Sequence, residues 1–296
     1  MRTSAEVSLP LWPGLEAARG LPGSAPAQLS TRASGPRLVV PTSQTDVVEE
    51  KPLPTHLGGV KYTDMVTQKR PGGFAELIRD FLQEKNTKFD GRLVGVDSSS
   101  ATQSQNGFRY ARLTEVDVPT PDRSGKGTGY ITIRLASEYS GAGTPHPVPT
   151  SLAVNSELRL WQRSNFTLAV SGLEANKVSR IEEFGFGFRP VEDQLGEVRQ
   201  STVQPGHTGW GLLTVTFSTA AAPGWIAWRD DFILHNGQGA ERSLTLTMLG
   251  SDMATPLLAL TGSGVGIVAL WRLPTTAADP MPKYQANLYV EHWVCR

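Results

Sequence analysis

Arg242-Ser-Leu-Thr-Leu-Thr-Met-Leu249 decides the fold class, because Leu244, Leu246 and Met248 fall on one side of an extended chain while Ser243, Thr245 and Thr247 fall on the other. Apolar and hydroxylic residues alternating at a period of two mark a strand with one face in a core and the other toward water. A helix would spread the same residues around its axis, and β-branched threonine suits a pleated surface.

The pattern recurs in both directions. Upstream, GRLVGVD (91–97), FRYARLTEVDV (108–118), TGYITIRLAS (128–137), ELRLWQ (157–162), NFTLAVSGL (165–173), KVSRIEEFGFGF (177–188) and GLLTVTFS (211–218) all read as strands. Downstream, PLLALTGSGVGIVALWRL (256–273) and ANLYVEHWV (286–294) do the same. Turn chemistry separates them, as at Pro205-Gly206 and Asn236-Gly237.

Two windows break the alternation. Phe74, Leu77, Ile78, Phe81 and Leu82 follow helical spacing, with Gly72-Gly73 ahead and Asn86 as terminator, which predicts a helix near 73–86. Trp225, Trp228 and Phe232 do so again, with Ile226 and Ile233 alongside and Pro223 in the first turn, which predicts a helix over 223–234. Its aromatics are expected to be largely buried against the sheet. A faint echo links Gly127-Thr-Gly129-Tyr-Ile-Thr-Ile-Arg-Leu135 to Gly209-Trp-Gly211-Leu-Leu-Thr-Val-Thr-Phe217, with LTEVDV and VSRIEEF similarly placed upstream. Duplicated β units would explain it, and so would two strands that obey one alternation.

Residues 1–55 are rich in Pro, Ser, Ala and Thr and hold no sustained period. Such a segment cannot offset its ordering entropy alone, so any order must come from the body or from a neighbouring copy. The expected organisation is an arm over 1–55, a helix and β-rich region over 56–160, and a β domain over 161–296. The fold class is mainly β: an antiparallel sandwich or barrel with two short helices and an extended N-terminal arm.

Composition narrows the function. The 296 residues carry 28 basic and 28 acidic side chains, so the basic surplus that nucleic-acid binding exploits is missing. The single cysteine, Cys295, forms no intrachain disulfide. The longest apolar run, Gly262 to Leu273, is too short to cross a bilayer, and no signal-peptide pattern opens the chain. Cytoplasmic synthesis without a membrane partner is the expectation.

No catalytic, cofactor-binding or metal-ligating set emerges. Gly262-Ser-Gly264-Val-Gly266 has the look of a phosphate loop, but a strand-like IVALWRL follows where a helix is needed. A bulge or a tight hairpin is the better use of those glycines. His56, His146, His207, His235 and His292 are scattered, and His292 and Cys295 fall on opposite faces of one strand. Glu182-Glu183 and Asp230-Asp231 read as solvated pairs, and Asn165-Phe-Thr167 is a sequon of use only to a secreted chain. The chain is therefore expected not to be an enzyme and to need no cofactor.

NFTLAVSGLEANKVSRIEEFGF, then GLLTVTFS, the Trp-bearing WIAWRDDFI, RSLTLTMLGSD, GIVALWRL and ANLYVEHW follow in an order that resembles the inner-tube proteins of contractile phage tails and related injection systems. The resemblance covers 165–293 and rests on order and pattern. It implies a β-sandwich or barrel whose copies make rings, usually hexameric, stacked around a lumen, with other tail or sheath-like proteins as partners and a tail-like particle as destination. It carries no catalytic residue. A monomeric sandwich that binds carbohydrate or protein, and a hydrolase with carboxylates gathered from separate strands, are the alternatives.

Overall fold

The structure is a computed structural model that describes residues 61–71, 73–85, 87–96, 102–141, 161–193, 202–234, 241–276 and 280–296, with the backbone alone at 61, 92–96, 102–105, 192–193 and short strand segments between 4 and 57. The body strands are, in chain order, β1 (Met65–Lys69), β2 (Phe89–Val96), β3 (Thr102–Val118), β4 (Ile131–Ala136), β5 (Tyr139–Gly141), β6 (Phe166–Val170), β7 (Val178–Ile181) and β8 (Phe184–Phe188). They continue with β9 (Val191–Asp193), β10 (Thr202–Gln204), β11 (Thr208–Trp210), β12 (Leu213–Ser218), β13 (Arg242–Leu249), β14 (Pro256–Arg272) and β15 (Lys283–Cys295). Helix α1 is Ala75–Leu82, and α2 is Ala222–Arg229, which continues as a π-helical turn, Asp230–Leu234.

Alternation in the sequence becomes an antiparallel six-stranded sheet of order β6-β13-β14-β15-β12-β7. In its middle, Leu244, Leu246 and Met248 are buried, as the period of two requires. The second sheet is built on β3, which pairs with β2 and β5 along its first part and with β4 and β8 along its second. Strand β1 borders β4, and β11 borders β8.

The two sheets share a corner. The chain passes from β7 in one sheet to β8 in the other through Glu182-Glu183, and from β11 to β12 through Gly211-Leu212. The ladder is continuous there, with Glu182 N–H donating to Thr214 O at 2.9 Å and Gly211 N–H to Gly185 O at 3.1 Å. Backbones approach so closely at the corner that a Cβ on Gly187 would lie 2.6 Å from Thr114 O, which is why glycine stands there. The single strand expected over 177–188 is thus two strands in different sheets.

The far edge of β7 is covered by Pro121–Arg123: Ile181 N–H donates to Pro121 O and Arg123 N–H to Ser179 O, both at 2.9 Å. Asp122 N–H then reaches Arg163 O at 2.9 Å, three residues short of Phe166, the first residue of β6. The six-stranded sheet therefore curls into a nearly closed barrel. Of ELRLWQ, 157–160 lie outside the described residues, and Trp161 to Arg163 make bridges to 127–129 in place of a strand.

The sequence echo has a geometric counterpart. Strand β3 and its continuation run antiparallel to β7–β8, with Glu115 opposite Gly187, Val118 opposite Phe184 and Asp122 opposite Arg180. Outside β3 lies β4, where Val116 faces Ile133; outside β7 lies β12, where Ile181 faces Val215. Ile133 and Val215 are matched residues of the echo, so its two copies are related by a local two-fold axis near Val118 and Phe184.

The PLLALTGSGVGIVALWRL run forms one continuous strand, β14, so the hairpin expected at its glycines does not exist. The bulge does: the register against β13 shifts between Arg242 and Leu244, and Gly264 sits at φ +60°, open to glycine at little cost. A second bulge lies at Val268, opposite β15.

Both helices cover the core. Trp225 is fully buried and stacks on Phe217 with centroids 4.6 Å apart, and Trp228 is buried beside it. Phe232, expected to be buried, is only half-buried, because it sits in the π-helical turn and reaches Tyr289 at 6.1 Å. Helix α1 buries Ile78 and rests on the end of β15, where Arg79 Nε donates to Cys295 O at 3.4 Å. The turn that follows its C-cap, Gln83, carries Glu84 at φ +54°, with Lys85 N–H bonded to Asp80 O at 3.0 Å. The expected terminator, Asn86, lies outside the described residues. Within the arm, Ser4–Ser8 pairs with β2 and Arg32–Ser34 with β1.

Candidate functional site

The residue types that invite chemistry are dispersed. His207 and His292 are exposed, His56 lies on a short N-terminal strand, and His146 and His235 fall outside the described residues. No three His, Cys, Asp or Glu side chains among the described residues are placed to hold a metal ion. No helix among them is long and apolar enough to cross a membrane. Cys295 faces away from His292 into the core, where burial pushes its thiol up, against a smaller opposing pull from Arg79. Glu182 pairs with Arg180 at 2.9 Å and Asp230 with Arg229 at 2.5 Å, while Glu183 and Asp231 are exposed. Asn165 of the sequon is buried, its Nδ2 donating to Gly250 O at 3.0 Å and its backbone oxygen accepting Trp161 Nε1 at 2.9 Å. That amide is committed to the fold.

Three features remain. The first is a cleft of about 270 Å³ between the end of α1 and the Pro205–Thr208 loop. Its floor holds Leu113, Arg112 and the stacked rings of Phe81 and Phe188, whose centroids are 5.9 Å apart; its mouth holds Asp80, Glu84, Lys85 and His207.

Behind that floor lies a buried polar network. Glu138, 7% exposed, binds Lys88 Nζ at 2.6 Å and accepts the Val203 N–H at 2.8 Å. Arg112 Nε donates to Val203 O at 3.1 Å, its guanidinium held down in basicity by burial and supported by the Glu138 charge. Side chains from β3 and from Glu138, just ahead of β5, thus hold both backbone groups of Val203 in β10. Charges buried this deeply persist only when paired and bonded.

The third is the outer edge of β6. Ser171 N–H donates to Ser243 O at 2.9 Å, which sets the alternation: odd-numbered residues of β6 bond to β13, and Leu168 points its N–H and C=O the other way. Among the described residues no strand pairs with that edge, and β6 ends the order of its sheet. Thr167 and Ala169 are exposed beside it.

None of these sites was legible beforehand. The cleft joins residues more than a hundred positions apart, and neither Glu84 nor Arg112 sits in any recognisable motif. The edge could have been suspected only from the strand order, which alternation does not encode.

No family model matches the chain, and no curated protein matches it. Among solved structures, a chain of the anti-feeding prophage baseplate, determined by cryo-EM with six-fold symmetrisation, is similar over 44% of this chain and 90% of its own. Identity there is 10% and the TM-score is 0.33, a score that assigns neither fold nor function.

Proposed function

We propose that this chain is a non-catalytic structural subunit of a phage-tail-like tube or ring, joined to its own copies through the outer edge of β6. The observation that carries the reading is that edge: Leu168 presents an N–H and a C=O with no strand partner among the described residues. An unpaired strand edge is a template for another strand, and a head-to-tail contact repeated from copy to copy closes into a ring. The order of elements from β6 to β15, with a Trp-bearing helix between β12 and β13, supports it, being the order that the inner-tube resemblance implies. Six copies per ring and partnership with other tail proteins belong to the same reading, as does a path from cytoplasm to particle.

Negative-stain microscopy and light scattering of the purified chain test it. Rings or tubes are expected from the natural sequence. Ala169→Lys, which sets a charge beside the edge on an exposed position, is expected to weaken them while circular dichroism stays unchanged. A natural chain that stays monomeric at every accessible concentration would sink the reading and leave a monomeric binding module.

A further inference from the structure

We infer that a basic face around the loop 122–129 receives the acidic segment 46–50 of a second copy of this chain, joining copies head to tail. The face is assembled by backbone bonds. Asp122 N–H donates to Arg163 O at 2.9 Å, Arg163 N–H to Gly127 O at 3.1 Å and Arg123 N–H to Ser179 O at 2.9 Å. These bonds gather Arg123, Lys126, Arg163 and Lys177. The Arg163 side chain lies along the loop, where a Cβ on Gly127 would stand 3.2 Å from its guanidinium, and so is held beside Lys126. Nearby carboxylates are committed: Asp122 and Glu182 are matched by Arg180 and Lys283, and Glu183 lies with Asp117 at the sheet corner. The side chains of Lys126, Arg163 and Lys177 make no hydrogen bond or ion pair among the described residues. Arg123 reaches the Val178 carbonyl, at 2.8 Å, and the Phe166 ring. Glu174 is the one carboxylate of these segments left against the four cations. Like charges held side by side repel, and an anionic partner relieves them.

Charge and position together name the occupant. A chain of net charge zero that gathers cations here carries its surplus of carboxylates elsewhere. Residues 45–54 hold Asp46, Glu49 and Glu50 against one Lys51. In the sequence they join Thr42–Gln44 to Thr55–Leu57, antiparallel strands in a sheet of their own, and Leu38–Val39 pairs with Lys61–Tyr62 behind them. That second pair meets the body at Tyr139, whose ring lies 6.1 Å from Tyr62. Strand β1 then runs from Met65, opposite Leu135, to Lys69, opposite Ile131. The loop 122–129 lies just ahead of Ile131, so β4 separates the face from Tyr62, its 6 residues spanning roughly 20 Å. An acidic segment leaving one end and a basic face at the other match between copies, and such a contact repeats head to tail. Docking of this kind rests on the self-association in the proposed function, though not on the β6 edge.

The test mixes two charge-reversed full chains. Lys126→Glu with Lys177→Glu reverses the face at two exposed positions, and Glu49→Lys with Glu50→Lys reverses the segment. Each variant alone is expected to need about tenfold more protein than the natural chain to scatter light equally, with circular dichroism unchanged. An equimolar mixture is expected to restore the natural threshold, because every segment then finds a face of opposite charge. Raising salt from about 50 to about 500 mM should raise the natural threshold too, since screening weakens exposed charge pairs. Should a reversed chain misfold, the neutral pair Lys126→Gln with Lys177→Gln serves instead, its threshold expected to lose that salt dependence. Reversed chains that assemble as well as the natural one, or a mixture that restores nothing, would overturn the docking and leave the β6 contact standing. A natural chain that is monomeric in low salt would overturn both.

Discussion

Val203 shows how one residue ties the separate two-stranded sheet of β9 and β10 to the sheet built on β3, because its N–H and C=O are bound by Glu138 and Arg112. Removing the Glu138 charge would leave the buried Arg112 guanidinium without it, which costs more than the pair itself contributes. Glu138→Gln is expected to lose about 3 kcal/mol in urea unfolding, and a loss under about 1 kcal/mol would place the network at the surface. Tyr289 gives a pH-dependent case. Burial, with the Glu241 carboxylate accepting its hydroxyl at 2.8 Å, pushes the phenol from 10.0 up to about 12. The unfolded chain ionises first, so stability present below pH 10.0 is lost as pH rises toward about 12. Unfolding free energies of the natural chain are expected to fall across that window, and those of Tyr289→Phe to fall less.

Among the elements, α2 covers the core with Trp225 and Trp228, both buried. Trp228→Ala should cost about 3–5 kcal/mol, the range for truncating a large buried aromatic, as read by equilibrium unfolding. The helix was legible because three aromatics at helical spacing stand out against a background of period two. The corner between the sheets was also signalled, though weakly: Val178, Ile181 and Phe184 are spaced by three, and the alternation fails where the chain changes sheet. The β14 bulge was half legible, since glycines mark close approach or a left-handed turn without saying which. Phe232 was misjudged because helical spacing continues into the π-helical turn, whose wider winding swings the ring outward. Partners across long separations were not legible at all, since Arg112 meets Val203 only once the β9–β10 pair has packed against the β3 sheet.

For the whole molecule the open question is what the arm does. Its backbone adds strands to the body, Ser4–Ser8 on β2 and Arg32–Ser34 on β1. Removing residues 1–55 uncovers those two edges while leaving the β6 edge as it was. The core from Met65 onward, which spans both sheets, keeps its members, so the truncated chain is expected to fold with β-type circular dichroism and a tryptophan spectrum that lacks only the contribution of Trp12. Newly exposed edges pair with whatever strand is near, so its association is expected to become less uniform: light scattering should show broad aggregates where the full chain gives defined particles. That outcome would make the arm a cover that directs association to β6. Loss of the β signal would show that the arm is part of the folding unit. Defined particles as good as those of the full chain would show that it covers nothing the assembly depends on.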